Sequence, residues 1–196
     1  MPAGHTGTQT FYAVWDKPGL SSVLTRSNLQ QQVLSAPTAG PNSTLVRTVS
    51  SNTINWSTQY GWYEDLSIAG ERVVTDPRLE NGAVVFTTYV PTTSSCAVGG
   101  ASWLMAVNFK NGSSFPSPEL DLNGDGQLNS GDQAGGQNPV GLYLGNEYSA
   151  APTIISASLG SIKAVKLVSE SSGAIKSVGQ AGASNQLQSW RQLPNN

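Results

Sequence analysis

Glu71-Arg-Val-Val-Thr-Asp-Pro-Arg-Leu79, the turn Glu80-Asn-Gly82 and the run Ala83-Val-Val-Phe-Thr-Thr-Tyr-Val90 decide the fold class of this chain. Both runs are rich in β-branched residues, and Asn-Gly between such runs is the strongest short-range signal for a hairpin, because both residues accept the positive φ of a tight turn. After Cys96-Ala-Val-Gly-Gly100 a third strand is expected over Ser102-Trp-Leu-Met-Ala-Val-Asn-Phe109, ending at Asn111-Gly112. Three antiparallel strands joined this way make a meander, the building unit of a propeller blade.

Working outward, Thr10-Phe-Tyr-Ala-Val-Trp15 is another β-forming run, stopped by the turn signal Asp16-Lys-Pro-Gly19. Residues 20–45 are polar, with Ser27–Leu34 readable as a strand or a short helix, and Val46–Trp56 reads as two short strands around Ser50-Ser-Asn52. A second meander-like unit follows near the end. It comprises Ser149–Ile155, then Ile162–Val168 and Ala174–Val178 around Ser171-Ser-Gly173, and a last strand over Leu187–Leu193. The N-terminal run with its Asp-Lys-Pro-Gly turn resembles Leu104–Asn108 with its Lys-Asn-Gly turn, so the chain is expected to begin partway through a blade. The expectation is a single all-β domain over residues 1–196, of about two to three blades where closed propellers have about four to eight. It is therefore part of a larger propeller, or an open β assembly whose edges need cover.

Composition narrows the function classes. Only 11% of the 196 residues are charged, the formal net charge is −2, and no cluster of Lys and Arg occurs. Nucleic-acid binding has no electrostatic footprint here, and the polar, weakly charged profile suits an extracellular loop-rich β protein. No apolar run reaches the length of a membrane span, and no basic-then-apolar leader opens the chain, so a secreted protein would be present as its mature form. Cys96 is the single cysteine and rules out an intrachain disulfide; it is either a small buried apolar residue or the partner of a cysteine elsewhere. His5 is the single histidine and lies in a Gly/Thr-rich leader, which effectively excludes a Ser-His-Asp triad, a Cys-His dyad and a His-ligated zinc or iron site. Carboxylate-only chemistry of the glycosidase type survives on paper, but no sequence feature supports it.

One stretch carries specific chemistry. Asp121-Leu-Asn-Gly-Asp-Gly-Gln-Leu-Asn-Ser-Gly-Asp132 places oxygen donors in the pattern of a calcium loop. Asp121, Asn123 and Asp125 occupy positions 1, 3 and 5, and Gly126 supplies the turn at 6. Gln127 offers its carbonyl, Asn129 a direct or water-mediated contact, and Asp132 closes the loop. Leu128 is expected to point inward as an anchor. The alternative is a polar turn without a cation, since Asn, Asp and Gly are turn formers in any case. The closing residue is Asp where EF-hands use Glu. The flanks Phe115-Pro-Ser-Pro118 and Gly135-Gly-Gln-Asn-Pro139 oppose helices, so the loop is expected to staple a connection between strands, with Ca2+ affinity on the order of micromolar to millimolar.

The ordered series Gly61-Trp-Tyr-Glu-Asp-Leu66, Gly70-Glu-Arg-Val-Val74, Asn81–Thr88, Gly99-Gly-Ala-Ser-Trp-Leu-Met105, the Asp-rich loop and Ser189-Trp-Arg-Gln-Leu193 resembles the C-terminal part of the PilY/PilC family. These are type IV pilus assembly and tip-associated proteins. Tyr12-Ala-Val-Trp-Asp-Lys17 and Arg47-Thr-Val-Ser50 extend the resemblance over most of the chain. It implies a quinoprotein-like β-propeller fold and a calcium site carried by Asp121, Asn123, Asp125, Gln127 and Asp132. It also implies pilus proteins (minor pilins or the pilus tip) and host or abiotic surfaces as partners. The implied roles are the balance of pilus extension and retraction, twitching motility and surface adhesion, at the cell surface or on the pilus after transit through the periplasm. Two other classes carry specific expectations. A quinone-dependent propeller dehydrogenase would need cofactor contacts from more blades than this chain has, and a dockerin-like module would need a duplicated loop followed by helices.

Individual motifs also have structural readings. Trp62, Tyr63 and Trp103 are expected in packing, Glu71 and Arg72 as an inter-strand ion pair, and Gly99-Gly100 at a bend or bulge. Asn42-Ser-Thr44 and Asn111-Gly-Ser113 match the glycosylation sequon and read equally as turns.

Overall fold

The computed structural model describes residues 7–20, 23–92 and 99–181; His5, Cys96 and the expected strand Leu187–Leu193 lie outside them. In chain order the strands are β1 Thr10–Val14, β2 Gln30–Gln32, β3 Thr38–Ala39, β4 Leu45–Arg47, β5 Gly61–Asp65, β6 Arg72–Val73 and β7 Arg78–Glu80. They continue with β8 Ala83–Pro91, β9 Gly100–Asn108, β10 Gly141–Gly145, β11 Thr153–Leu159, β12 Ile162–Ser169 and β13 Ile175–Ala181. Single 3-10 turns at Arg26–Asn28, Pro41–Ser43 and Ser130–Asp132 are the helical elements among the described residues.

The expected hairpin forms. Glu80 pairs with Ala83 across Asn81 and Gly82, whose φ angles of 51° and 82° are the positive pair that a two-residue primed turn requires. β8 then runs antiparallel to β9 without a bulge, from Ala83↔Asn108 to Pro91↔Gly100. The run expected over Glu71–Leu79 is split in two, because Pro77 has no N–H to give to the ladder. β6 and β7 pair with β8 along the same edge, one before and one after Pro77. The second expected meander is present as the sheet β11-β12-β13.

Three sheets stack in layers. The central one has the order β3-β4-β10-β9-β8-β6, with β7 also on β8. Its Val46, Ala83, Val85, Leu104, Ala106, Leu142 and Leu144 face Val168 and Val178 of the β11-β12-β13 sheet, with Leu120 and Leu122 between them. Its Phe86, Trp103, Met105 and Val107 face Trp62 together with Phe11 and Ala13 from the third sheet, β1-β5-β2. Alternate residues of one strand thus enter different cores, and full burial of each large apolar side chain stabilises by about 1.5–3 kcal/mol.

Several expectations are corrected. The described strands form stacked sheets that do not close into a propeller, as expected of two to three blades, whereas β1 pairs with β5 instead of with a sequence neighbour. Pairing is not wholly antiparallel, since β2 lies parallel to β5. Ser27–Leu34 is part 3-10 turn and part strand. Of the two strands expected over Val46–Trp56 only β4 forms. Beyond it the Gln32 side chain takes over, accepting from Ser50 Oγ (2.7 Å) and the Asn52 N–H (2.9 Å) and donating to the carbonyls of Asn52 and Asn111. Trp62 and Trp103 are packing residues as expected, with the indole N–H of Trp62 donating to the Phe109 carbonyl at 3.0 Å. Tyr63 is partly exposed and lies 4.2 Å beneath the Arg26 guanidinium.

Glu71 does not pair with Arg72. Its partner is Arg47 of β4, at 2.7 Å, with both side chains fully buried. Thr88 Oγ1 also donates to Glu71 Oε1 and the Ile68 N–H to Oε2 (3.3 Å), while the guanidinium lies 3.8 Å over the Trp103 ring. Burial lowers the Arg47 pKa and the Glu71 charge opposes that shift. Losing one member leaves a buried charge unpaired, so Glu71→Ala is expected to cost about 3–5 kcal/mol in urea unfolding. The paired change Arg47→Met with Glu71→Leu is expected to recover most of that loss.

Glu64 of β5 is fully buried opposite Phe11, and neither carboxyl oxygen has a hydrogen-bond partner among the described residues. Burial pushes its pKa up to about 8. Between about pH 4.5 and 8 the folded chain therefore holds a proton that the unfolded chain has released. Stability from this group falls as pH rises, by up to about 1.4 kcal/mol per pH unit. Glu64→Gln is expected to raise the melting temperature at pH 8 clearly more than at pH 5; equal shifts at both values would refute a neutral Glu64.

Candidate metal loop

The Asp-rich loop sits in the connection between β9 and β10 and is anchored from below. Leu120 bridges to Gln180 of β13, the Asp121 N–H donates to the Gly179 carbonyl at 3.0 Å, and Leu120 and Leu122 are buried in the core. Leu122 thus supplies the anchor expected of Leu128, which is only half-buried; the Leu128 N–H instead donates to Ser161 Oγ at 2.6 Å, tying the loop to the β11–β12 turn. A second tie runs from Asn42 Nδ2 to the Asn123 carbonyl at 2.6 Å, so the first sequon is a turn with Asn42 at φ 51°.

Within the loop the donors meet the loop's own N–H groups. Asp121 accepts from Gly124 at 2.7 Å and Gly126 at 3.1 Å. Asn123 Oδ1 accepts from the Asp125 N–H at 2.9 Å, and Asp125 accepts from the Gln127 N–H at 2.7 Å and from Asn123 Nδ2 at 3.0 Å. Asn129 Oδ1 accepts from the Gly131 N–H at 2.7 Å, capping the 3-10 turn Ser130–Asp132. Asp132 is fully buried and joins both ends of the loop, accepting from Leu122 (2.8 Å), Asn123 (3.2 Å) and Asn129 (3.1 Å). Gly126 has the φ of +77° that the tight turn needs.

The donor chemistry fits a hard cation. It is oxygen-only, and a carboxylate offers about four lone-pair sites, of which Asp121 and Asp125 each use two. The side chains as placed cap backbone N–H groups. Among the described residues no set of three or more His, Cys, Asp or Glu side chains converges tightly enough to hold a metal ion. No α-helix flanks the loop among the described residues, in keeping with the Pro and Gly on either side.

Sequence reasoning missed the polar cluster under the loop. Glu119 accepts from Gln180 Nε2 at 2.6 Å and lies 4.0 Å from Lys166 Nζ, with Lys166 wholly buried. Burial pushes Glu119 up to about 7, with Lys166 and Gln180 opposing. Burial likewise brings Lys166 down to about 7 against the pull of Glu119. Lys166 stands in an alternating strand where nothing local marks it as an inward residue; only the pairing Lys166↔Val178 places it there.

Fold and loop together define a layered all-β domain with a strand-connecting acidic loop, and comparison with known proteins places that class. No family model matches the sequence. The chain is 35% identical over 109 residues to a type IV pilus biogenesis factor PilY1 homolog of Xylella fastidiosa, covering 53% of this chain and 7% of that protein. It is 29% identical over 141 residues to type IV pilus biogenesis factor PilY1 of Pseudomonas aeruginosa, covering 62% of this chain and 12% of that protein. The crystal structure of the P. aeruginosa PilY1 C-terminal domain matches 88% of this chain and 37% of that chain with a TM-score of 0.69 at 22% identity. The chain is thus related in sequence to PilY1 proteins and has the fold of the PilY1 C-terminal domain, while spanning a small part of the curated relatives' length.

Proposed function

We propose that this chain is a non-enzymatic, calcium-binding β domain of a type IV pilus biogenesis factor, acting at the cell surface or on the pilus. The observation that carries the pilus reading is the agreement between the sequence relatives, both named as pilus biogenesis factors, and the matched C-terminal domain. On this reading its partners are pilus proteins, either minor pilins or the tip, and through them host or abiotic surfaces. Its contribution is to assembly, the extension–retraction balance, twitching motility and adhesion. Among the described residues no helix is long and apolar enough to cross a membrane.

Calcium is held on this proposal by Asp121, Asn123, Asp125, the Gln127 carbonyl, Asn129 and Asp132. Support comes from their spacing, the oxygen-only donor set and the lone pairs left on Asp121 and Asp125. The ion supplies positive charge that neutralises the acidic loop. The chain's own part is to keep that loop fixed to the β11–β12 turn through Ser161 and to β13 through Asp121. A surface for pilus partners beside the loop is thereby ordered, and a bound ion at a hundredfold excess over Kd adds about 2.7 kcal/mol of stability.

Calorimetric titration of chelator-stripped protein tests the ion. One-site heat with a raised melting temperature, both lost in Asp121→Ala with Asp125→Ala, is the expected result. No heat and no thermal shift up to about millimolar calcium would reduce the loop to a polar turn and leave the pilus reading standing. That reading is tested apart, by deleting the region encoding this domain in its native host and counting surface pili and twitching zones. Both are expected to fall, and unchanged piliation with unchanged twitching would overturn it.

A further inference from the structure

Strand β1 has a neighbour on one side only among the described residues, in the order β1-β5-β2. The Leu66 N–H donates to the Gln9 carbonyl and the Trp15 N–H to the Tyr60 carbonyl, so the odd-numbered residues of this run direct their backbone groups toward β5. By the alternation of an antiparallel ladder, the N–H and C=O groups of Thr10, Tyr12 and Val14 face outward. Other edges are blunted. β2 is three residues long, β3 and β6 are two, β7 carries Arg78 and Glu80, β11 has an irregular register after Ser156, and β13 carries Lys176. Thr10-Phe-Tyr-Ala-Val14 has no charge, no proline and no bulge through five consecutive pairs, so none of the usual protections against strand addition is present.

An apolar cleft of about 680 Å³ opens beside the C-terminal end of β1, where Ala13 and Val14 pair with Trp62 and Gly61 of β5. Its walls include Val14, Trp15, Trp56 and Phe109, all exposed, and the two indoles meet at 80° with centroids 5.8 Å apart. Lys110 and Asp16 also line it. The Lys17 ammonium lies 5.3 Å from the Trp15 ring centre. Two ammonium groups against one carboxylate favour an occupant with an acidic group beside its apolar anchor. So apolar a lining suits a hydrophobic side chain better than a polyhydroxylated ligand.

We propose that β1 and the Trp15–Trp56 cleft form a strand-addition site for an extended segment of a partner polypeptide. The segment's main chain bonds to Thr10, Tyr12 and Val14, and one of its apolar side chains fills the cleft. Affinity comes from the main-chain bonds and selectivity from the pocket, the division of labour found wherever a peptide extends a sheet. The site is separate from the acidic loop and does not depend on calcium.

The test uses a fluorescein-labelled peptide of about seven residues, alternating threonine and valine, with a central tryptophan followed by glutamate. Saturable anisotropy with Kd of about 10–100 μM is expected, weakened about tenfold or more by Trp56→Ala. Tyr12→Pro removes an outward N–H without touching a β1–β5 bond and is expected to abolish binding. If that variant does not fold, amide exchange on the unaltered protein decides. The peptide should slow exchange at Thr10, Tyr12 and Val14 and leave Phe11 and Ala13 unchanged. No binding up to about 1 mM, or binding without that alternation, overturns the proposal. So does slow exchange at the three amides in the peptide-free protein. If that slowness is independent of concentration the chain covers its own edge; if it grows with concentration a second copy does.

Discussion

Strand β9 has no solvent face. Trp103, Met105 and Val107 turn to one layer while Leu104 and Ala106 turn to the other, and all five are buried. A strand in that position must be apolar at nearly every residue, and Ser102–Val107 meets that demand without the alternation of a half-exposed strand. The remaining architecture follows from covering both faces at once. The β11-β12-β13 sheet closes one side and the β1-β5-β2 sheet the other, and each of the covering sheets has its own exposed face. The long β9–β10 connection leaves the central sheet and bridges to β13 at Leu120 and Gln180, and the acidic loop lies in it.

Polar groups enclosed by the stack impose a second constraint. Arg47 pairs with Glu71 across the central sheet, Lys166 lies near Glu119 under the loop, and Glu64 is buried opposite Phe11 with its pKa raised by burial. None of these is a cheap way to fill a core, since desolvation offsets much of the attraction between paired charges. For the Arg47–Glu71 pair the geometry ties the charges to register. Arg47 meets Glu71 only when β4 sits against β10 and the segment before β6 sits against β8 in the observed alignment, because sliding either strand by one residue turns the charge to the opposite face.

The acidic loop is a self-bonded turn whose side-chain oxygens hold its own N–H groups, with Asp132 as the buried knot between its two ends. That arrangement and cation binding draw on the same chemistry, since a carboxylate can accept from the backbone with one lone pair and coordinate with another. The loop's ties to Ser161 and Asn42 join three parts of the chain that are distant in sequence. A change of charge or order in the loop therefore acts on the β11–β12 turn and on the 41–43 turn together.

Local signals determined a good deal by themselves. Asn81-Gly82 set the β7–β8 hairpin, the continuous apolar run set β9, and Ser171-Ser-Gly173 set the β12–β13 turn, because each depends on backbone preferences and apolar patterning within a few residues. The donor spacing of the acidic loop and the absence of helices beside it were legible for the same reason. Tertiary structure alone decided the rest. Parallel pairing of β2 with β5, the replacement of a strand beyond β4 by the Gln32 side chain, and the choice of Arg47 over Arg72 as the partner of Glu71 all depend on residues far apart in the chain. So do the edge that β1 leaves open among the described residues and the cleft between Trp15 and Trp56. Local sequence fixes which face of a strand is apolar, whereas which strand meets that face is decided by burial summed over the whole chain.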